Sequence, residues 1–321
     1  MNNRVFENVP LAKLCTYRIG GIAKKVVRVF DAEGLRRVMS EEGDKIVIGR
    51  GSKILFCDEG FDGVVVIMSG ERMEFWNGGR CETKNSRGSR GRPPIGDLVS
   101  EQKINSLFSA YYMYADSGVF LPAIAIECAK RNLSGLEWAT GIPGSVGGAV
   151  WMNAGAHGGD IASVCEWVKV YRDGQIVRVH NKDCGFGYRS SGFKQGDIIL
   201  GACLRLQNGD RDEIEKRMKG YAEARKKAQP KGFSCGSVFK SVVSKGRTIP
   251  AWELIDACGL KGIRIGSAVI SEKHANFILN IGGDGTKAED VKTLIRLIKT
   301  KVYKKFGIML EEEVVYAGTT I

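Results

Sequence analysis

The chain has 321 residues, 43% hydrophobic and 26% charged, a usage that excludes disorder or a fibrous repeat for the whole and allows two or three domains with real cores. Lys and Arg outnumber Asp and Glu by 48 to 36, for a formal charge of +12. That balance favours anionic partners: nucleotides, phosphorylated sugars, nucleic acid or a membrane surface. Glycine is the outlier, at 42 residues against 7 prolines, and without collagen periodicity it points to tight loops where backbone approaches a ligand. The opening stretch MNNRVFENVP lacks the apolar segment of a secretory signal, and the nine cysteines include no C-x-x-C pair. The expectation is a cytoplasmic protein with free thiols. The uncharged run 138–159 is broken by glycines, Pro143 and Asn153, so no membrane span is expected.

In chain order, β-branched runs predict strands at 25–30, 45–48 and 63–68 around a charged helix at 32–42. Further strands are expected between 71 and 84. The tract NSRGSRGRPP (85–94) has almost nothing to bury and reads as an insertion extending to about residue 110. A strand follows at 111–116, then a short helix at 123–131 with Pro122 in its first turn. The alternating run WVKVYRDGQIVRVH (167–180) carries Asp173-Gly174 at its centre, a hairpin signal. A strand at 198–206 and a charged helix at 210–227 lead to Pro230, where a domain boundary fits. Beyond it come a helix at 249–257, strands at 263–270 and 276–281, and a long helix at 287–306. For that helix, Thr286 and Glu289 form the expected capping box. Val291, Leu294, Ile295, Ile298, Val302 and Phe306 share its apolar face, and Gly307 suits the C′ position.

Familiar site motifs fail. Gly49-Arg50-Gly51 begins a dinucleotide fingerprint, but Ile54 stands where the third glycine belongs. The three histidines, at 157, 180 and 274, lie too far apart in sequence for a zinc motif, so no metal is expected. Gly232-Phe233-Ser234-Cys235-Gly236 matches a nucleophile elbow, but the preceding ARKKAQPK is charged and proline-broken where a buried strand is needed. Four segments instead share glycine-exposed amides beside small hydroxyl residues: YRIGG (17–21), GRGSK (49–53), GIPGSVGG (141–148) and NAGAHGG (153–159). Successive amides in such turns can cradle a pyrophosphate without a dinucleotide-binding helix.

With these loops in place, the chain resembles the UDP-N-acetylenolpyruvoylglucosamine reductase (UDP-N-acetylmuramate dehydrogenase) family nearly end to end. The similarity runs through YRIGG, IGRGSKILFCDEGFDGVVV (48–66), LSGLEWATGIPGSVGGAVWMNAGAHGGDI (133–161), FGYRSSGFK (186–194), CGSVFK (235–240), GLKGIRIGSAVISEKHANFILN (259–280) and FGIMLEEEV (306–314). The resemblance implies an α+β chain whose FAD-binding fold is of the vanillyl-alcohol-oxidase (PCMH) type. It divides into two α/β subdomains, at 1–70 and 71–209, and a C-terminal α+β substrate-binding domain at 210–321. The short gap between FGYRSSGFK and Ile198 matches the family's second type, which lacks an extra tyrosine-bearing loop.

By the same resemblance FAD is held by Gly49, Arg50, Gly51, Ser52 and Lys53, by Gly141, Ile142, Pro143, Gly144, Ser145 and Gly148, and by Asn153, Gly155 and Ala156. Lys53 departs from the Asn common in the family. Arg18, Tyr188, Lys240, His274 and Asn276 are expected around the UDP-sugar, and Arg189, Ser237 and Glu313 match the catalytic positions. Their chemistry is coherent: hydride added to the methylene of an enolpyruvyl ether leaves negative charge on the neighbouring carbon and its carboxylate. The site therefore needs a fixed cation (Arg189), a proton donor (Ser237) and a group that replenishes it (Glu313). NADPH is the expected reductant and a monomer the expected state. A flavin-dependent sugar oxidase on the same architecture and a basic nucleic-acid-binding protein are the alternatives, with a Ser234 hydrolase third.

Overall fold

The computed structural model describes residues 3–77, 80–83, 110–244 and 246–318, so the expected insertion lies outside the described residues apart from Ala110. The chain divides into two compact units. One comprises Met1–Asn3, Arg28–Glu41 and Ile67–Ala224; the other comprises Arg4–Val27, Glu42–Val66 and Arg225–Ile321. Helices and strands mix in both, as expected of an α+β chain.

The first unit is built on an antiparallel sheet. Its strands run in the order Gln175–His180, Cys165–Arg172, Ile198–Asn208, Tyr111–Asp116, Met73–Asn77 and Arg80–Thr83, with Leu133–Ser134 pairing against Ile198–Asn208. The expected hairpin forms: Asp173 and Gly174 take φ of 49° and 79°, the twist that joins right-handed strands through two residues. Strand Ile198–Asn208 begins with seven buried residues, as a central strand covered on both faces does. The helices Leu121–Ala129, Val146–Trp151 and Ile161–Val164 contribute Leu121, Ile124, Val146 and Ile161 to a core with Leu204. In the same unit, Trp76 stacks on Tyr112 and Tyr114 on Trp167, with ring centroids 6.0 and 5.7 Å apart.

Arg172 at the hairpin clamps Asp197 bidentately, Nε to Oδ1 at 2.7 Å and Nη2 to Oδ2 at 2.8 Å, and the Lys194 amide donates to the same carboxylate at 2.9 Å. These donors, Arg172 first, hold the Asp197 carboxyl below the usual carboxylate range. Stability from a depressed carboxyl is present above its unfolded value and is lost as pH falls through the folded one. Asp197→Asn is therefore expected to cost about 1.5 kcal/mol at neutral pH. The gap to the parent should close as pH drops below about 4, which urea unfolding across pH would measure.

The second unit carries most of a four-stranded sheet, ordered Arg4–Pro10, Ile22–Val29, Phe61–Met68 and Lys45–Ile48. Two smaller pairings matter more for the site. Ile54–Phe56 runs parallel to Val315–Ala317, and Arg264–Ile265, Ala268–Ile270 and Ile278–Asn280 form a three-stranded meander. The strand expected at 263–270 is thus two strands, turned at Gly266 with φ of 53°.

Helix Ala288–Phe306 buries Val291, Leu294, Ile295, Ile298 and Val302, and Gly307 closes it at φ of 69°. Two details differ from expectation. Phe306 is 39% exposed, because the last turn runs past the core. The Thr286–Glu289 box does not form: the helix starts one residue later, and the buried Thr286 hydroxyl donates to Asn280 Oδ1 at 2.6 Å. The free amides of Ala288 and Glu289 are capped by Asp58, whose Oδ1 and Oδ2 accept from them at 2.7 and 3.2 Å, while Asp290 Oδ2 accepts from Lys287 N at 3.4 Å. A carboxylate on free helix amides also meets the positive end of the dipole. Asp58→Ala is expected to destabilise the protein by about 1–2 kcal/mol, readable as a lowered denaturant midpoint.

Candidate active site

In the second unit, the segment carrying Ser237 is held from both sides. On one side the amides of Lys240 and Glu313 donate to the carbonyls of Glu311 and Val238 at 2.9 and 2.7 Å. On the other, the Val238 amide donates to the Asn276 carbonyl at 2.9 Å. The Asn276 side chain then pairs with Phe239 twice, accepting from its amide and donating to its carbonyl, both at 2.9 Å. Asn276, expected near the substrate, is 5% exposed and spends its amide on this brace.

Three consecutive carboxylates meet three lysines from three different segments: the antiparallel bridge of Phe239 with Glu312, helix Ala288–Phe306 and the 49–53 loop. Glu311 pairs with Lys240. Glu312 accepts from Lys299 Nζ at 2.8 Å and from the Tyr316 hydroxyl, and burial, with that acceptor, pushes the phenol up. Glu313, 7% exposed, meets Lys53 Nζ at 2.7 Å. The same ammonium donates to the Ser237 carbonyl at 2.7 Å. Ser237 and Glu313, 76 positions apart in a sequence that offers no local reason to join them, are thus bonded to one side chain.

The 49–53 loop leading to Lys53 is fixed by packing. Gly51 has φ of 63°, and a Cβ there would stand 2.2 Å from the Leu14 carbonyl, so only glycine fits. Its own carbonyl accepts from Thr16 N at 3.1 Å. Arg18, at φ of 57°, lies over the Phe233 ring at 5.8 Å, and Asn280 Nδ2 donates to the carbonyls of Tyr17 and Arg18 at 2.9 and 3.2 Å. Asn280 was not among the expected site residues. Burial pushes the His274 pKa down, and its Nδ1 accepts from Asn276 N at 3.3 Å. The Ser234 motif is no elbow: a loop follows helix Arg211–Ala228, and Ser234 Oγ accepts from Gly236 N at 3.4 Å.

In the first unit, Asn153 is the hub. It is 3% exposed, accepts from Ala162 N and donates to the Gly187 carbonyl, both at 2.9 Å. Ser191 Oγ adds a bond to the Trp151 carbonyl at 2.7 Å, so the loop bearing Tyr188 and Arg189 is tied to the 151–160 segment. Arg189, at φ of 53°, donates through Nη2 to the Gly155 carbonyl at 2.6 Å and sits 5.2 Å from the Tyr188 ring centre. Gly155–Ala156 and Gly159–Asp160 form a miniature hairpin, turned by His157 and Gly158 at φ of 52° and 86°.

The loop 141–148 is braced by the turn after strand Tyr111–Asp116. Leu121 N donates to Gly144 O, Val146 N to Val119 O and Gly147 N to Ser117 O, at 3.0, 3.0 and 2.9 Å. Ser145 caps the following helix through Gly148 N at 3.5 Å. Two hydroxyls flanking this loop, Ser117 Oγ and Thr140 Oγ1, are buried without a hydrogen-bond partner among the described residues. An unpaired buried hydroxyl costs about 1–3 kcal/mol, and a ligand with phosphate and ring acceptors, as FAD has, would satisfy both. The residues present fit that group. Neither hydroxyl was singled out from the sequence, where only their adjacency to glycine gave a signal. Among the described residues, no three His, Cys, Asp or Glu side chains group as a metal site, and no helix is long and apolar enough to cross a membrane.

Comparison with known proteins fits this arrangement. The family model "UDP-N-acetylenolpyruvoylglucosamine reductase, C-terminal domain" matches residues 229–317, and "FAD binding domain" matches 99–180. The UDP-N-acetylenolpyruvoylglucosamine reductase of Carboxydothermus hydrogenoformans is 38% identical, over 99% of this chain and 95% of its own. That of Chloroherpeton thalassium is 37% identical, over 97% and 92%. Among solved structures, the UDP-N-acetylenolpyruvylglucosamine reductase of Thermus caldophilus superposes with a TM-score of 0.75 at 34% identity, covering 98% of this chain and 99% of that one. The chain belongs to the UDP-N-acetylenolpyruvoylglucosamine reductase family of FAD-dependent oxidoreductases.

Proposed function

We propose that this protein reduces UDP-N-acetyl-3-O-enolpyruvylglucosamine to UDP-N-acetylmuramate with NADPH, that Ser237 is the proton donor and that Glu313 replenishes it. The observation that carries the assignment of roles is the joint attachment of Ser237 and Glu313 to Lys53, at 2.7 Å each. FAD, held by the loops named below, would supply the hydride chemistry that links NADPH to the enolpyruvyl methylene. The second hydrogen arrives as a proton at the adjacent carbon, so the protein must stabilise transient negative charge there and supply that proton.

Arg189 supplies the charge. Its guanidinium is oriented by the Gly155 carbonyl through one of the five donors of a fork whose geometry matches a carboxylate. Ser237 supplies the proton through a hydroxyl that is a poor acid in water and must be polarised by its surroundings. Lys240, Tyr188, Arg18, His274 and Asn276 are proposed around the sugar, diphosphate and carboxylate, Asn276 from the segment its side chain braces against Phe239. The loops 49–53, 141–148 and 153–156 are assigned to FAD, with the orphaned hydroxyls of Ser117 and Thr140 beside the second. The functional division into 1–70, 71–209 and 210–321 is part of the same proposal, as are a monomeric state and a cytoplasmic location. Residues 194–197 form a tight turn, Asp197 N to Lys194 O at 2.9 Å, which supports the family's second type.

Steady-state assay tests the reading. NADPH oxidation should require the enolpyruvyl sugar and match UDP-N-acetylmuramate formed, one to one by mass spectrometry. Oxygen consumption on simple sugars without NADPH would instead mark a sugar oxidase.

A further inference from the structure

We propose that Lys53 is a positioning residue for proton transfer: its ammonium fastens Ser237 to Glu313 and fastens both to the 49–53 loop. The proposal rests on the reading of Ser237 and Glu313 as proton donor and replenishing carboxylate.

Four observations carry it. First, of the lysines that meet the carboxylates of Glu311, Glu312 and Glu313, Lys53 has a hydrogen bond to the backbone of Ser237 as well. Second, the main chain fixes where Lys53 starts. Val315 N donates to the Lys53 carbonyl at 2.8 Å, and the parallel pairing of Ile54–Phe56 with Val315–Ala317 begins from that bond. The stem therefore leaves a rigid position two residues from Glu313. Third, the pair is largely out of water. The Glu313 side chain is 6% exposed and that of Lys53 27%, whereas the Lys24–Asp62 pair is 68% and 81% exposed. An exposed pair of that kind contributes little, but removing one partner of a buried pair strands a charge. Fourth, the Ser237 turn follows the ammonium closely. A Cβ at Gly236 would lie 3.7 Å from Lys53 Nζ, at a φ of +78° that disfavours any side chain.

An ammonium has three donors, and two of them are committed here to the residues flanking the proton's path. The substitution Lys53→Met would keep the apolar stem and lose both bonds: the Val238 carbonyl would still hold the Glu313 amide, but the Glu313 carboxylate and the Ser237 carbonyl would lose their shared anchor. A misplacement of about 1 Å in a reacting constellation costs on the order of 100-fold.

The test uses flavin-loaded protein, reduced by NADPH and then mixed anaerobically with the enolpyruvyl sugar. Lys53→Met is expected to slow the limiting rate of flavin reoxidation about 30- to 100-fold. The half-saturating sugar concentration should change less than about threefold, and this loss should exceed any loss in flavin reduction by at least about tenfold. Lys53→Arg, which restores a cation with several donors, should recover at least about fivefold of the rate. Unfolding midpoints give an independent reading. Lys53→Met and Glu313→Gln should each lower the midpoint, and the double variant should fall by clearly less than their sum. A Lys53→Met reoxidation rate within about threefold of the parent, a loss confined to the half-saturating concentration, or additive midpoints would each overturn the proposal. Parent protein whose flavin the sugar does not reoxidise, or Ser237→Ala at full rate, would overturn the underlying reading instead.

Discussion

Ser237→Ala is expected to bind FAD and to be reduced by NADPH, yet to be reoxidised by the enolpyruvyl sugar about 1,000-fold more slowly, the usual scale for losing a positioned general acid. The substitution removes one oxygen from a segment whose backbone bonds do not use it. Val238 N to Asn276 O, Lys240 N to Glu311 O and Glu313 N to Val238 O are main-chain contacts, and Lys53 reaches the Ser237 carbonyl rather than its hydroxyl. The fold around the position should persist, so the loss belongs to the proton. Stopped-flow absorbance separates the two half-reactions. Equal slowing of both would assign Ser237 to cofactor placement, and unchanged reoxidation would remove it from the mechanism.

The next largest effect is expected at Arg189. Arg189→Ala should lower the rate of sugar-dependent reoxidation by about 100- to 1,000-fold, as removal of a donor aimed at developing charge does, and should also weaken sugar binding. A backbone effect must be separated from this, because Arg189 sits at φ of 53°, which strains any L residue, arginine and alanine alike, by about 1–2 kcal/mol but not glycine, and Ala loses the bond to the Gly155 carbonyl that helps hold the loop there. Arg189→Gly provides the separation. If the guanidinium matters, Ala and Gly variants will be equally slow. If the loop conformation matters, Gly will retain more activity than Ala.

Much of the fold was legible because its signals are local. Asp173-Gly174 between alternating runs specified a turn, and the strands Tyr111–Asp116 and Lys45–Ile48 fall where their β-branched and aromatic residues predicted. The buried face of helix Ala288–Phe306 followed from its period, and Gly307 from the need for positive φ. Its N-terminal cap could not be read, because the capping carboxylate of Asp58 lies 230 positions earlier. Phe306 looked like core because periodicity does not say where the packed surface ends.

The site divides the same way. Glycine-rich loops were visible as loops, but Ser237, Arg189 and Glu313 stood out only through family resemblance; by residue type alone they are a turn serine, a surface arginine and one of three acids. Nothing in GRGSK or LEEEV announces that Lys53 meets the last of those acids rather than the first. That choice depends on the register of Ile54–Phe56 against Val315–Ala317. Asn276 illustrates the converse: a polar residue in a substrate-like segment is committed to Phe239, 37 positions away.

The most direct test of the central claim is an anaerobic spectrum of the purified protein loaded with FAD. NADPH should bleach the flavin bands, which should stay bleached until the enolpyruvyl UDP-sugar is added and should then return, with UDP-N-acetylmuramate as the product. A protein that takes up no FAD, or whose reduced flavin ignores that sugar, would contradict the account.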